Sequence, residues 1–333
     1  MSYLTTHLDN CKLTLNNRLI LPPMATSKSE LNGEVSQGLL DYYDEKSQGG
    51  YLSLIIIEHS FVVPQGKASK GQLSAADDSM VEGLKKLANT IHKNGSKAIM
   101  QINHAGSATN KDITGGCGNV GPSPIVNPLI KQEVPKELSK EEIKEIIESF
   151  KDAARRVKNA GFDGVEIHSA HSYLLNQFYS PLTNKRTDEY GGDILGRIKI
   201  HLEIIKVVKE AVGEEFPVLL RLGACDYMEG GTTVEDSKIA ALEFQKAGID
   251  ILDISGGLCG FVAPGHAREQ GYFSEITQAI KEVVSIPVIL TGGITEAPAA
   301  EELLALGKAD LIGVGRAMLK DSLWAKKAIE SLE

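Results

Sequence analysis

The sequence predicts a (β/α)8 barrel, and three observations carry the prediction. Short β-branched runs alternate with longer stretches of helical period, eight times over. The runs are apolar on nearly every residue, as parallel strands covered by helices on both faces are. No G-x-G-x-x-G follows the first run, where an open nucleotide-binding sheet would carry one. In chain order the strand candidates are 18–25 (RLILPPMA), 52–60 (LSLIIIEHS), 97–106 (KAIMQINHAG), 163–170 (DGVEIHSA), 217–224 (PVLLRLGA), 249–257 (IDILDISGG), 287–294 (PVILTGGI) and 309–317 (ADLIGVGRA). Helical candidates lie between them at 81–95, 139–161, 196–213, 234–248 and 297–309. Several of these close on Gly, which enters the αL conformation of a helix end without steric cost. Ser139 with Glu142 three residues on spells a capping box.

Ahead of the first strand, Asn16-Asn17 between apolar flanks predicts a β-hairpin that caps the bottom of the barrel. The segment 107–138, rich in Gly, Pro and Asn, predicts an excursion after the third strand that arches over the top. No low-complexity linker or charge block divides the chain, so residues 1–333 are expected to form one domain.

A net charge of -9 and a pI near 5.5 leave no basic field for a polyphosphate backbone, which argues against nucleic acid as a partner. The first ten residues lack the basic and apolar regions of a secretory leader, and no apolar run approaches the ~20 residues of a membrane span. A soluble cytoplasmic protein is expected. Cys11, Cys117, Cys225 and Cys259 are too widely spaced for a metal knuckle or a disulfide scaffold, and are read as reduced thiols.

In a barrel of this kind the functional groups gather where the strands end. Those positions hold Pro23-Met24-Ala25, Glu58-His59-Ser60, Gln101 with His104, His168 with His171, Arg221, Asp253 with Ser255, Gly292-Gly293 and Gly315-Arg316. The glycine-rich ends belong to strands seven and eight, where bare backbone N–H groups and a helix N-terminus commonly hold a phosphate; Arg316 adds a fixed cation. Gln101 pairs a donor with an acceptor, which suits the edge of a heterocycle. Arg221 is a permanent cation that would stabilise negative charge on a reduced ring. Two neutral histidines, His168 and His171, would clamp one oxygen through their N–H groups, and Tyr173 beside them would deliver a proton as a neutral phenol. Metal ligation is the rival for H-S-A-H, which lacks zincin spacing and an evident third ligand, and a structural histidine pair is another.

LNNRLILPPM near the start, MQINHAG after strand three, GFDGVEIHSAHSYLLNQFYSPLTNKRTDEYGG and ADLIGVGRAML near the end together resemble the Old Yellow Enzyme family of FMN-dependent ene-reductases. The resemblance implies a noncovalent FMN across the barrel mouth. Pro23, Met24, Ala25 and Ser60 would lie beside the ring, Gln101 at its pyrimidine edge and Arg221 on the N1 side. Gly292, Gly293, Gly315 and Arg316 would hold the phosphate. It further implies NADPH or NADH as hydride donor, an α,β-unsaturated carbonyl or nitro compound (enone, enal, nitroalkene) bound through His168 and His171, and Tyr173 as proton donor. A homo-oligomer is compatible with it. The sequence departs from the family's pattern at Ala25, where Cys or Thr is common, and at Ser27, where some members have Tyr. With only Cys225 and Cys259 in the later half, no four-cysteine cluster is expected there, so electrons would come directly from the nicotinamide. The alternatives are a flavin-free aldolase or isomerase barrel that uses the phosphate site for its substrate, and a barrel that only binds.

Overall fold

Seven of the eight apolar runs stop as strands before their sequence signal ends, because the residues after them turn outward into the loops of the barrel's mouth; the second runs one residue past its signal, to Phe61. The structure, a computed structural model, describes residues 2–9 and 12–332. The strands are β1 (Leu19–Leu21), β2 (Leu54–Phe61), β3 (Lys97–Asn103), β4 (Gly164–Ser169), β5 (Val218–Gly223), β6 (Ile251–Ser255), β7 (Val288–Thr291) and β8 (Leu311–Gly313). All neighbours pair in parallel and β8 pairs back onto β1, closing the barrel. The helices around it are α1 (Gln37–Ser47), α2 (Val81–His92), α3 (Lys140–Asn159), α4 (Lys199–Val212), α5 (Val234–Lys246), α6 (Ser274–Lys281), α7 (Ala297–Ala305) and α8 (Trp324–Glu330). The capping box expected at α3 is present: Ser139 Oγ accepts from Glu142 N–H, and a Glu142 carboxylate oxygen accepts from Ser139 N–H. α3 gives way to Gly161 at φ +82°, which a Cβ would strain.

Strand alternation sorts the interior into layers. Ile20, Leu54, Ile56, Ile99, Leu219, Ile251, Ile289 and Leu311 point inward at the bottom, and Leu8, Leu13 and Leu15 of the N-terminal segment plug the floor from below. At β4 the equivalent position is Gly164, where a Cβ would stand 3.1 Å from the Ile99 side chain. The expected bottom cap is therefore there, but its turn is not at Asn16-Asn17. Leu8 bridges Leu15 antiparallel, so the chain reverses between them, and Asn10 and Cys11 lie outside the described residues. Asn17 instead leads into β1: its side-chain carbonyl accepts from Leu19 N–H and its amide donates to Tyr51 O.

The lower rim is fastened in pairs. Asp163, just before β4, donates its N–H to Ala98 O and accepts Ala98 N–H on its carboxylate. Asp250 before β6 does the same with Val218, and Asp310 before β8 with Val288. At β2 the equivalent residue is Ser53, whose N–H and hydroxyl both donate to Leu19 O.

Segment 107–138 does cross the mouth. Asn127, fully buried, donates to Ser107 Oγ and Ser172 O and accepts from the N–H groups of Leu129 and Ile130, which fixes both apolar side chains at the top. Arg186 ties the same segment to the loop after β4. It is a buried arginine whose Nη1 donates to Leu138 O and Pro122 O, while Nε and Nη2 fork onto the Asp188 carboxylate at 3.0 and 2.6 Å. Cys117, Cys225 and Cys259 are free thiols. Among the described residues no helix is long and apolar enough to cross a membrane.

Buried histidines make stability depend on pH. Burial holds His104 and His201 neutral, with pKa values lowered to about 3. Unfolding frees them to protonate below about 6.5, so stability falls as pH drops from there, by about 1.4 kcal/mol per pH unit for each. Glu58, raised by burial to about 7, opposes this between its unfolded value near 4.5 and 7, because the folded state holds its proton there. His59, His168 and His171, also held neutral, add to the loss, and Asp253 and Glu166, whose folded pKa values are raised, oppose it as Glu58 does. Denaturant unfolding of the flavin-free protein is therefore expected to weaken below pH 6.5 and most steeply below about pH 4.

Candidate active site at the barrel mouth

Above the apolar floor lies a polar layer. Gln101, Glu166, Arg221 and Asp253 are all buried: Gln101 is the register partner of Glu166 across β3 and β4, and Arg221 that of Asp253 across β5 and β6, two residues further along. Gln101 donates to a Glu166 carboxylate oxygen at 2.7 Å. Arg221 Nε stands 3.2 Å from Asp253, an ion pair whose N–H is not aimed along the line, and the second Glu166 oxygen has no protein partner. Two buried carboxyl groups thus lie near one guanidinium, and only Asp253 is paired with it. Burial and then the Asp253 charge push Glu166 well above the usual range, and burial moves Asp253 to about 6 despite Arg221.

Over this layer opens a cavity of about 370 Å³. Strand ends and loops that are far apart in sequence meet in its wall. Pro23, Met24 and Ala25 come from β1; Arg221 from β5; Gly292 and Gly293 from β7; Gly315 and Arg316 from β8; and His171 and Tyr173 from the loop after β4. The glycines make the cradle. A Cβ at Gly315 would stand 2.7 Å from Met24 Sδ, and one at Gly292 or Gly293 would meet the Tyr272 ring at 2.7 Å. Arg316 begins a short helix, Arg316–Lys320, and donates to the Tyr272 hydroxyl at 3.2 Å. Backbone N–H groups at a helix start, glycines and a guanidinium on one wall are the donor set an anion such as a phosphate monoester requires.

The other wall carries the proton-active groups. The chain leaves β4 through His171 and Ser172, both at positive φ (57° and 65°), a conformation non-glycine residues avoid. The turn is held by its surroundings: Ser172 N–H and Oγ donate to Asn176 and Asn127, and Gln177 donates to Ser172 O. Held strain of this kind clusters where a side chain must be aimed. It brings the His168 and His171 rings to 5.2 Å, edge to face, and sets Tyr173 5.2 Å from His168. Burial, and then the charges of neighbouring groups including Arg221, hold both histidines well below their usual pKa, so they are neutral at pH 7. His171 Nε2 lies 2.7 Å from Ser255 Oγ, while His168 Nδ1 has no protein partner. Burial raises the Tyr173 phenol to about 12, which keeps its proton in place.

Residues 7–333 match the sequence model of the NADH:flavin oxidoreductase / NADH oxidase family. The chain belongs to that family. The NADH oxidase of Thermoanaerobacter brockii is 44% identical over 323 residues, which cover 96% of this chain and 49% of that protein. The NADPH dehydrogenase of Clostridium acetobutylicum is 38% identical over 93% of this chain and 89% of that protein. Among solved structures, a complex of 2-naphthoyl-CoA reductase with 2-naphthoyl-CoA superposes with a TM-score of 0.93 at 28% identity, over 99% of this chain and 52% of that one. This chain therefore spans about half the length of the NADH oxidase and of the naphthoyl-CoA reductase.

Membership matches the resemblance carried by the sequence blocks, and the structure sorts the candidate residues that came with it. Eight of the ten candidates for cofactor contact line the cavity; Gln101 and Ser60 do not. Gln101 lies beneath, and Ser60 is turned away, donating its hydroxyl to Glu58 O. The cause is a bulge: β2 pairs Ile57 with Met100 but Ser60 with Ile102, so one extra residue on β2 changes which side chains face in. His59, the next residue back, lines the cavity instead. His168 is buried beside the wall, its ring 5.2 Å from those of His171 and Tyr173 and its Nδ1 unpartnered. Sequence reasoning also left out Leu129, Ile130, Phe261 and Tyr272; they arrive from long loops and carry no periodic signal. Among the described residues no lysine lines the cavity, so a Schiff-base aldolase has no nucleophile there.

Proposed function

We propose that this chain binds FMN across the barrel mouth and uses NADPH or NADH to reduce the activated C=C bond of enones, enals or nitroalkenes. The observation that carries the reading is that one cavity collects both an anion cradle (Gly292, Gly293, Gly315, Arg316) and, opposite, neutral imidazoles with a neutral phenol. Family membership and the nicotinamide-named relatives support it. FMN supplies the hydride relay between the two substrates, a chemistry no side chain of this protein has.

The chain's own residues do the rest. The β7 and β8 glycines and Arg316 hold the phosphate, and Arg221 presents fixed positive charge to the ring. Arg221 is itself tied to Asp253, so its position is set before the cofactor arrives. His168 and His171, neutral, donate N–H groups to the substrate oxygen and stabilise the charge that gathers there. Tyr173 donates its proton to the α-carbon. Leu129, Ile130 and Phe261 roof the cavity and keep water from the reacting atoms.

The first test is colour. Purified protein mixed with FMN should retain it through gel filtration, show the flavin's visible bands, and bleach with NADPH or NADH under nitrogen. A protein that stays colourless overturns the proposal. Arg316→Leu should weaken FMN binding about 10- to 100-fold by fluorescence titration, the contribution of one charge-assisted contact to phosphate. Phenols should bind the loaded protein with a long-wavelength charge-transfer band, and His168→Ala and His171→Ala should each weaken that binding; an unchanged titration would contradict the clamp.

A further inference from the structure

His59 stands at the end of β2, on the cavity side of the bulge, and its two ring nitrogens face different partners. Nδ1 is 2.6 Å from the Gln72 side-chain nitrogen, and Nε2 is 3.4 Å from the Tyr173 hydroxyl. Gln72 is buried and its orientation is fixed twice over. Its side-chain oxygen faces the backbone N–H of Ala68 at 2.6 Å, and that group can only donate. Its nitrogen also faces the His59 carbonyl at 3.1 Å, which can only accept. The amide therefore presents NH2 to His59 Nδ1, so Nδ1 must be the bare nitrogen. A neutral imidazole so constrained carries its proton on Nε2. Burial keeps it neutral, at a pKa lowered to about 4.

We infer that His59 is a positioning residue for Tyr173: its Nε2–H, locked in that tautomer by Gln72, donates to the phenol oxygen and so turns the Tyr173 proton toward the substrate. The inference rests on Tyr173 as the proton donor and adds what holds that donor ready. Without the lock, the tyrosine could donate to a bare Nε2 and point its proton away from the cavity. With it, the phenol oxygen is already an acceptor. When Tyr173 gives its proton to the α-carbon, the O–H bond breaks and its electron pair stays on oxygen. The His59 N–H remains intact, and its bond to that oxygen strengthens as charge develops. Solvent water later returns a proton to the tyrosine.

The test uses FMN-loaded protein, cyclohexenone as oxidant and stopped-flow absorbance, together with 15N NMR of labelled histidine. In the parent, the His59 Nδ1 signal should be of the bare, pyridine type and Nε2 of the protonated type. Gln72→Glu offers Nδ1 an acceptor in place of a donor, so it should exchange the two signals and slow reoxidation by the enone about tenfold, with reduction by NADPH little changed. His59→Leu should slow reoxidation similarly. His59→Gln, which restores an N–H donor near the position of Nε2, should recover most of the rate.

A protonated Nδ1 in the parent overturns the inference outright. So does parental reoxidation in both Gln72→Glu and His59→Leu while Tyr173→Phe is slow, a result that leaves the proton-donor role of Tyr173 standing. Parental reoxidation in Tyr173→Phe instead removes that role and the inference with it.

Discussion

Tyr173→Phe is expected to slow reoxidation of the reduced protein by an enone roughly 100- to 10,000-fold, the range of a positioned general acid. Reduction by NADPH or NADH should proceed at the parental rate. The split follows from what the hydroxyl does. The phenol is half-buried on the wall shared with the histidines, its pKa is raised to about 12, and the change to Phe removes one oxygen while leaving the ring in its contacts with His59 and His168. Binding of a phenol ligand should be little altered, since the imidazoles remain. Stopped-flow traces of the two half-reactions measure this directly, and equal reoxidation rates in the two proteins would remove Tyr173 from the role of acid.

Arg186→Leu is expected to cost about 3 kcal/mol of stability, a large share of the ~5–15 kcal/mol typical of a folded protein. The guanidinium is buried, and its loss strands the partly covered Asp188 carboxylate together with the carbonyls of Pro122 and Leu138. Urea or guanidinium unfolding of the flavin-free protein gives the number. Removing Asp188 as well, in Arg186→Leu with Asp188→Leu, should recover part of it, because the stranded charge goes too. A loss below ~0.5 kcal/mol, the level of an ordinary surface change, would show that the strap does not hold the excursion down. Because that excursion carries Leu129 and Ile130, ligand affinity at the mouth should fall along with stability.

Arg186 also shows where reading the sequence reaches its limit. The stretch RTDEYGG stands beside the histidines and tyrosine, and its charges invite a catalytic reading, yet Arg186 and Asp188 bind each other and the backbone. The eight strands were legible because burial on both faces leaves an apolar run that no loop imitates. α1 was not: QGLLDYYDEKS buries Leu39, Tyr43, Lys46 and Ser47, two of them polar, so its inner face has no apolar stripe. α6, eight residues long, is too short for its period to stand out.

At the mouth, the cofactor candidates that rested on a strand's end arrived there or directly beneath, Ser60 excepted, because strand direction alone sends them there. Ser60 and His59 exchanged places because a bulge shifts the alternation by one, and nothing in LIIIEHSF marks it. The partnership of Gln72 with His59 depends on how a loop returns to β2, which composition does not encode.

The paired fastening of the lower rim makes the molecule modular. β1 with β2, β3 with β4, β5 with β6 and β7 with β8 are each clasped by the residue that precedes the even-numbered strand, whereas no such clasp spans β4 and β5. A break in the backbone between Val212 and Pro217 would leave every clasp within one fragment. Two half-barrels made that way, four strands apiece, should find each other in solution and rebuild the mouth between them, with the imidazoles and phenol on one half and the anion cradle on the other.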